Sequence, residues 1–180
     1  MRIIGGCWRS RKISFATSSG IRPTPDSVRE TLFNWLTPYI DGAACLDLYA
    51  GSGALGFEAA SRSAANVAMV ETHRHNVKQL QINKDKLDAG SVEIIEQKAE
   101  DFLQTTDNRF DIVFLDPPFQ QDLIESVCHA IKKNNVLKPA ALIYIEAEKQ
   151  LNPLPIPADW HIMRQHIQGA VAYYLISTDR

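Results

Sequence analysis

Between residues 44 and 146 short apolar, β-branched runs alternate with stretches of helical periodicity, and this alternation limits the possible folds more than any other feature. Residues 44–49, 66–70, 92–95, 110–115 and 142–146 read as strands, and residues 57–62, 74–87, 99–103 and 123–133 as helices. Strand, helix, strand, repeated in this way, dictates an α/β fold with a mainly parallel, doubly wound sheet covered on both faces.

Both ends depart from that rhythm. Residues 160–166 and 170–176 read as two strands separated by Gln168-Gly169, too close for a crossover helix, so they must run antiparallel. A proline-rich loop over 152–157 precedes them. Near the start, Thr24-Pro25-Asp26 predicts a helix with the Thr24 hydroxyl as its cap, and Val28, Leu32, Trp35 and Leu36 follow at helical spacing. A chain of 180 residues, 45% hydrophobic and 22% charged, suits one soluble domain with a short appendage. The expected division is a basic arm over 1–23 and a main domain over 24–180. No apolar run approaches the ~20 residues that span a bilayer.

The net charge of −2 conceals an asymmetry. Arg2, Arg9, Arg11, Lys12 and Arg22 give the first 25 residues +5 with no acid, against −7 for the remainder. A basic arm on an acidic body points to an anionic partner, nucleic acid foremost. A transit peptide or a solvated charged strand would share this composition. Gly5-Gly6 and the polar–apolar alternation over 12–16 favour a hairpin over an amphipathic targeting helix. Trp8 could stack on RNA or anchor the arm. Cys7, Cys45 and Cys128 are too scattered for a disulfide framework or zinc site, so a reduced, intracellular setting is expected. His73 and His75 lack companion ligands, and no metal is expected.

The turn after the first core strand reads Asp47-Leu48-Tyr49-Ala50-Gly51-Ser52-Gly53-Ala54-Leu55-Gly56. Gly51, Gly53 and Gly56 match the G-x-G-x-x-G pattern, and Glu71 ends the second strand where a ribose-binding acid is expected. That pattern alone would hold NAD as readily as another adenosine cofactor. Asp47 tips the balance: a carboxylate inside the strand end repels a pyrophosphate and suits a cationic or amino-acid portion. S-adenosylmethionine carries an ammonium and a sulfonium and no phosphate.

The fourth strand ends in Asp116-Pro117-Pro118-Phe119. In an open sheet of this kind the first and fourth strands flank the point where strand order reverses, and ligands bind outside their carboxyl ends. Asp116 and the Pro117 carbonyl can together accept both hydrogens of an exocyclic nucleobase amine, drawing its nitrogen toward a tetrahedral, nucleophilic shape. Pro118 stiffens the segment, and Phe119 offers a ring on which an extruded base can stack.

An Asp/Asn-Pro-Pro-aromatic tetrad after an apolar strand resembles the amino-methyltransferases of adenine N6, cytosine N4 or guanine N2. Together with M-R-I-I-G-G-x-W-R-x-R-K, Arg22-Pro23-Thr24, V-R-E-T-L-F-N-W-L and D-L-Y-A-G-S-G-A-L-G-F-E-A, the chain resembles the RsmD family, bacterial 16S ribosomal RNA guanine-966 N2-methyltransferases. The likeness covers nearly the whole chain and is most specific in 1–62 and 110–119.

The resemblance implies a Rossmann-like class I methyltransferase fold of seven strands with the last antiparallel. It implies S-adenosylmethionine as cofactor and a cytoplasmic, monomeric enzyme acting on 16S rRNA within the assembling 30S subunit. It places Asp116 and Pro117 on the guanine amine and Phe119 on the base. Gly51, Ser52 and Gly53 would line the cofactor turn, Glu71 the ribose, the Ala99 N–H the adenine and Asp47 the methionine end, with Tyr49 also among the cofactor-binding residues. Arg2, Trp8, Arg9, Arg11, Lys12, Arg22, Thr24 and Arg29 would face RNA. Lys98 stands where the family usually has an acid, and Tyr49 where Phe is common. Two alternatives remain: an adenine-N6 DNA methyltransferase, for whose target-recognition domain the chain has no room, and a non-catalytic nucleotide-binding module.

Overall fold

Five apolar runs become the parallel strands of one sheet, and the two tail strands extend it. The computed structural model describes residues 1–15, 24–118 and 123–179; Arg22 and Phe119 lie outside the described residues. In chain order the elements are α1 (Asp26–Leu36), β1 (Ala44–Asp47), α2 (Ala54–Ser61), β2 (Asn66–Glu71), α3 (Arg74–Leu87) and β3 (Val92–Glu96). Then come α4 (Ala99–Thr105), β4 (Phe110–Leu115), α5 (Leu123–Lys133), β5 (Leu137–Glu148), β6 (His161–Gln168) and β7 (Val171–Ser177).

The strands lie in the order β3-β2-β1-β4-β5-β7-β6. β1 to β5 are parallel, and β7 runs antiparallel to both of its neighbours, β5 and β6. β1 and β4 are therefore adjacent where the order reverses, as expected of a doubly wound sheet. Burial on both faces explains the near-continuous apolar character of the central strands. Phe33, Phe57, Leu80, Phe114 and Tyr144 pack together on the side covered by α1, α2 and α3, whereas Leu103, Val113, Cys128, Ile131 and Ile143 pack on the side of α4 and α5. Among the described residues no helix is long and apolar enough to cross a membrane.

Thr24 does not cap α1. Pro25 occupies the cap position with no side-chain hydrogen bond, and the Thr24 hydroxyl donates instead to Glu146 Oε1 at 2.8 Å. A buried carboxylate holds the hydroxyl in preference to a helix end that water can satisfy.

The N-terminal segment folds back on itself, with Arg2 and Lys12 forming an antiparallel bridge and Ile3 N donating to Arg11 O at 3.0 Å. It is integrated with the sheet layer through Ile3 and Ile13, both buried in the core. Glu58 of α2, wholly buried, accepts the N–H groups of Ile4 and Gly5, each at 2.8 Å, and meets Arg62 at 2.8 Å and Arg29 at 3.5 Å. Gly6 makes this contact possible: with φ at +73°, its backbone is in the left-handed region, and a Cβ there would stand 1.8 Å from the Ser61 carbonyl oxygen. Trp8 is half-buried against the core, so its ring helps to anchor the segment.

Candidate active site

A cavity of about 970 Å³ opens where the carboxyl ends of β1, β2, β4 and β5 meet the start of β7. One end is walled by Tyr49, Gly51, Glu71, Asn76, Lys98 and Ala99, the other by Thr24, Asp116, Pro117, Pro118, Glu146 and Tyr173.

At the first end the Glu71 carboxylate is fixed by several donors. Its Oε1 accepts the N–H groups of Thr72 and His73, each at 2.7 Å, and its Oε2 accepts Gly51 N at 3.0 Å and Asn76 Nδ2 at 3.2 Å. Two buried oxygens of this wall, Asn76 Oδ1 and Tyr49 Oη, have no hydrogen-bond partner among the described residues. Buried polar atoms rarely stay unpaired, and a ligand bearing ribose hydroxyls would supply a donor beside Asn76.

The glycine turn divides its labour differently from the sequence expectation. Gly51 reaches the cavity; Asp47, Ser52 and Gly53 do not line it. Asp47 turns inward and accepts the Gly56 N–H at 3.0 Å, fastening α2 to β1, and burial pushes its carboxyl up to about 7. Ser52 Oγ accepts the Ala54 N–H at 3.3 Å. Gly53 has φ at +78°, and a Cβ there would come within 2.7 Å of Leu80 and of the Phe57 ring. These three residues shape the turn from behind.

At the second end, Asp116 follows directly on Leu115, whose register partner is Ile145. Asp116, just past the end of β4, therefore lies beside Glu146 of β5, with backbones about 4.8 Å apart, and Glu146 pairs across to Tyr173 on β7. Thr24 Oγ1 at 2.8 Å and Tyr144 Oη at 3.0 Å both donate to Glu146 Oε1. Burial raises the Glu146 carboxyl to about 6, opposed by those two hydrogen bonds. Asp116 is pushed well above the ordinary carboxylate range by burial, with the negative charges of Glu146 and Asp47 adding to the shift.

Glu146 and Tyr173 are absent from the site read in the sequence. The signal for Glu146 was present: an acid closing an apolar strand, as Asp116 closes β4. Cavity carboxylates at Glu71, Glu100, Asp116 and Glu146 face one lysine, Lys98. That balance favours a cationic ligand and works against a pyrophosphate.

The expected RNA-facing residues separate into three groups. Arg2, Arg9, Arg11 and Lys12 are exposed, and the Arg11 guanidinium also reaches the carbonyls of Lys86 and Leu87 at the end of α3. Thr24 is buried in the cavity wall. Arg29 cannot meet RNA: its side chain is wholly buried, donating to Thr24 O at 3.3 Å, Arg2 O at 3.0 Å and Asp26 Oδ1 at 2.5 Å, with Glu58 alongside. His73 and His75 are exposed, and the described residues contain no cluster able to hold a metal ion. Burial pushes the Cys45 and Cys128 thiols up to about 12, which rules them out as nucleophiles near neutrality.

Residues 1–177 match the family model described as "Conserved hypothetical protein 95". The chain is 48% identical over 179 residues to ribosomal RNA small subunit methyltransferase D of Haemophilus influenzae, covering 97% of this chain and 92% of the relative. The protein of the same name from Escherichia coli K12 is 47% identical over 176 residues, covering 97% and 88%. The solved structure of Escherichia coli yhhF superposes with a TM-score of 0.93 at 42% identity, covering 99% of this chain and 98% of that one.

Proposed function

The chain belongs to the RsmD family of ribosomal RNA small subunit methyltransferases, and from that premise we propose that it methylates the exocyclic N2 amine of a guanine in 16S rRNA. The observation that carries this reading is the placement of Asp116 and the rigid Pro117-Pro118 pair in the same cavity as Glu71 and Asn76. An amine acceptor and a ribose-binding wall share one cavity, as methyl transfer to a nucleobase requires.

The methyl donor is S-adenosylmethionine, which supplies an electrophilic methyl group on a sulfonium with a good leaving group. Glu71, Asn76, Gly51, Tyr49 and Ala99 would hold its adenosine portion, and the cavity's surplus of carboxylates suits its positive charge. Asp116 and the Pro117 carbonyl accept the two amine hydrogens of the target base and aim the nitrogen lone pair into the cavity. Proline rings keep that carbonyl fixed, so little reorganisation is needed at the moment of reaction. The amine sheds a proton on alkylation, and Asp116 is the acceptor beside it; burial makes its carboxylate a stronger base than a solvated one. No covalent enzyme intermediate is needed.

In this reading the arm over 1–23 contributes RNA contact, with Arg2, Arg9, Arg11 and Lys12 among its exposed cations, and Phe119 would stack on the target base. The substrate is 16S rRNA in a small-subunit assembly particle in the cytoplasm, and the enzyme acts as a monomer. Mass mapping of 16S rRNA from cells with and without this protein tests the reading. One N2-methylguanine, at position 966, should disappear with the protein; loss of a different modification, or of none, would refute it.

A further inference from the structure

Asp116 and Pro117 explain how an exocyclic amine is held, but adenine, cytosine and guanine all present such an amine. What distinguishes guanine is the neighbouring ring nitrogen. Guanine N1 carries a hydrogen and donates, whereas adenine N1 and cytosine N3 carry a lone pair and accept. A discriminating site therefore needs a second acceptor beside the first.

Glu146 stands in that position. Its strand neighbours β4, and the Leu115–Ile145 register places it level with Asp116. Both residues line the cavity. Its two oxygens are not equivalent: Oε1 accepts both Thr24 Oγ1 and Tyr144 Oη, while no donor among the described residues reaches Oε2. A buried carboxylate with one saturated oxygen, and a second that no described residue reaches, is oriented for a single further donor.

We propose that Glu146 selects guanine, its open oxygen accepting the base N1–H while Asp116 accepts the adjacent N2 amine. The same oxygen repels the ring lone pair of adenine or cytosine. A site that hydrogen-bonds a substrate N–H strongly rejects analogues that lack it, because its buried acceptor is then left unpaired. Thr24 and Tyr144 are positioning residues in this scheme: they set the carboxylate's rotation and favour its ionised form. Among the described residues the other titratable groups facing Glu146 are Asp116, which follows β4, Asp47 from β1, and Tyr144 and Tyr173 from β5 and β7. Each of the two acids disfavours a second negative charge, so discrimination should weaken as pH falls through the range where Glu146 gains a proton, about 6. A protonated Glu146 would donate to a ring lone pair and lose its preference.

The inference rests on the guanine-N2 reading and is tested on the full chain with small-subunit particles. These are reconstituted with 16S rRNA carrying either guanosine or 2-aminopurine riboside at the target position. 2-Aminopurine keeps the N2 amine but has a lone pair at N1. Wild-type protein should favour guanine in kcat/KM by about 10-fold or more at pH 8, with the ratio falling below pH 6. Glu146→Gln, which can donate as well as accept, should bring the ratio to within about threefold at every pH. Tyr144→Phe keeps the carboxylate and removes a donor, so it should move the loss of discrimination to higher pH; this variant decides the matter if Glu146→Gln does not fold. An unchanged guanine preference in Glu146→Gln, or an unchanged pH dependence in Tyr144→Phe, would overturn the role of Glu146. Mass spectrometry separates this from failure of the underlying reading. N2-methylguanine formed with no discrimination defeats the inference alone, and a methyl group on any other atom defeats both.

Discussion

Thr24 Oγ1 lies 2.8 Å from Glu146 Oε1, a hydrogen bond between residues 122 apart in the chain. Both residues are buried, so neither group has water as a ready substitute. The bond draws the segment entering α1 against the end of β5, and the N-terminal part of the chain thereby becomes part of the cavity wall.

Replacing Thr24 by Val keeps the shape and removes the donor. A carboxylate that loses a hydrogen bond to its ionised form becomes a weaker acid, so Glu146 should rise further above 6. The rising limb of methyl transfer against pH should move to higher pH, and stability should fall by about 1–3 kcal/mol in urea denaturation. An unshifted limb would show that Thr24 does not act through Glu146.

Asp116 has two separable duties, accepting an amine hydrogen and taking the released proton. Asp116→Ala removes both and should lower kcat/KM by about 100-fold or more, with affinity for S-adenosylmethionine by calorimetry changing less than about threefold. Asp116→Asn retains an acceptor oxygen but cannot take the proton. It should fall between wild type and the alanine variant and lose part of the rising pH limb.

Much of this site is legible in the sequence because it depends on where strands end. The bounds of β4, α3 and α5 follow from composition, and Asp116 from the proline pair that stops β4. The acid that ends the apolar run 142–146 does not by itself mark a site, because the importance of Glu146 lies in lateral pairing: only the adjacency of β4 and β5, with Leu115 opposite Ile145, brings the two acids level. Asp47 looks ligand-facing in the sequence, but it follows Leu46 on a strand buried on both faces. Its side chain meets the Gly56 N–H before it meets the cavity. Arg29 misleads for a similar reason. A basic residue near a basic arm suggests RNA, yet its guanidinium turns inward to Asp26, three residues earlier, and to Glu58 on the next helix, and no local pattern announces that second contact between α1 and α2.

Glu58 joins three segments through one carboxylate. Glu58→Ala would remove the one buried carboxylate beside Arg29, leaving it only the exposed Asp26, deprive Arg62 of its partner and free the amides of Ile4 and Gly5. Breaking a buried pair from one side costs about 3–5 kcal/mol. Chemical denaturation should show a loss of that size, and hydrogen exchange should quicken at Ile4 and Gly5 more than at amides of β4. Glu58→Gln, which keeps an acceptor for the amides, should recover part of both.

Asp47 makes stability depend on pH in a definite direction. Its folded value, about 7, lies above the ordinary 3.8, so between these limits the native state binds more protons than the unfolded chain. Its contribution is fully present below about pH 4 and is lost as pH rises toward 7. Asp47→Asn keeps an acceptor for the Gly56 N–H and cannot titrate. Its Tm should vary less than that of wild type across this window, the two proteins converging at the acid end. Parallel curves for the two proteins would remove Asp47 as the source.

The exposed cations of the N-terminal hairpin should govern RNA affinity without touching the cofactor. Arg9 and Lys12 lie exposed on the segment whose backbone is pinned to α2 and α3, so their charge is presented on a fixed support. Lys12 also offers its carbonyl to Lys86 Nζ at 2.9 Å, a backbone hydrogen bond that a side-chain truncation leaves in place. Arg9→Ala with Lys12→Ala should weaken binding to 16S rRNA and reduce the slope of log affinity against log salt by roughly 0.7–0.9 for each phosphate no longer neutralised. Calorimetry with S-adenosylmethionine should be unchanged, because neither residue lines the cavity. A double variant with the wild-type salt slope would place the RNA-binding surface elsewhere on the protein.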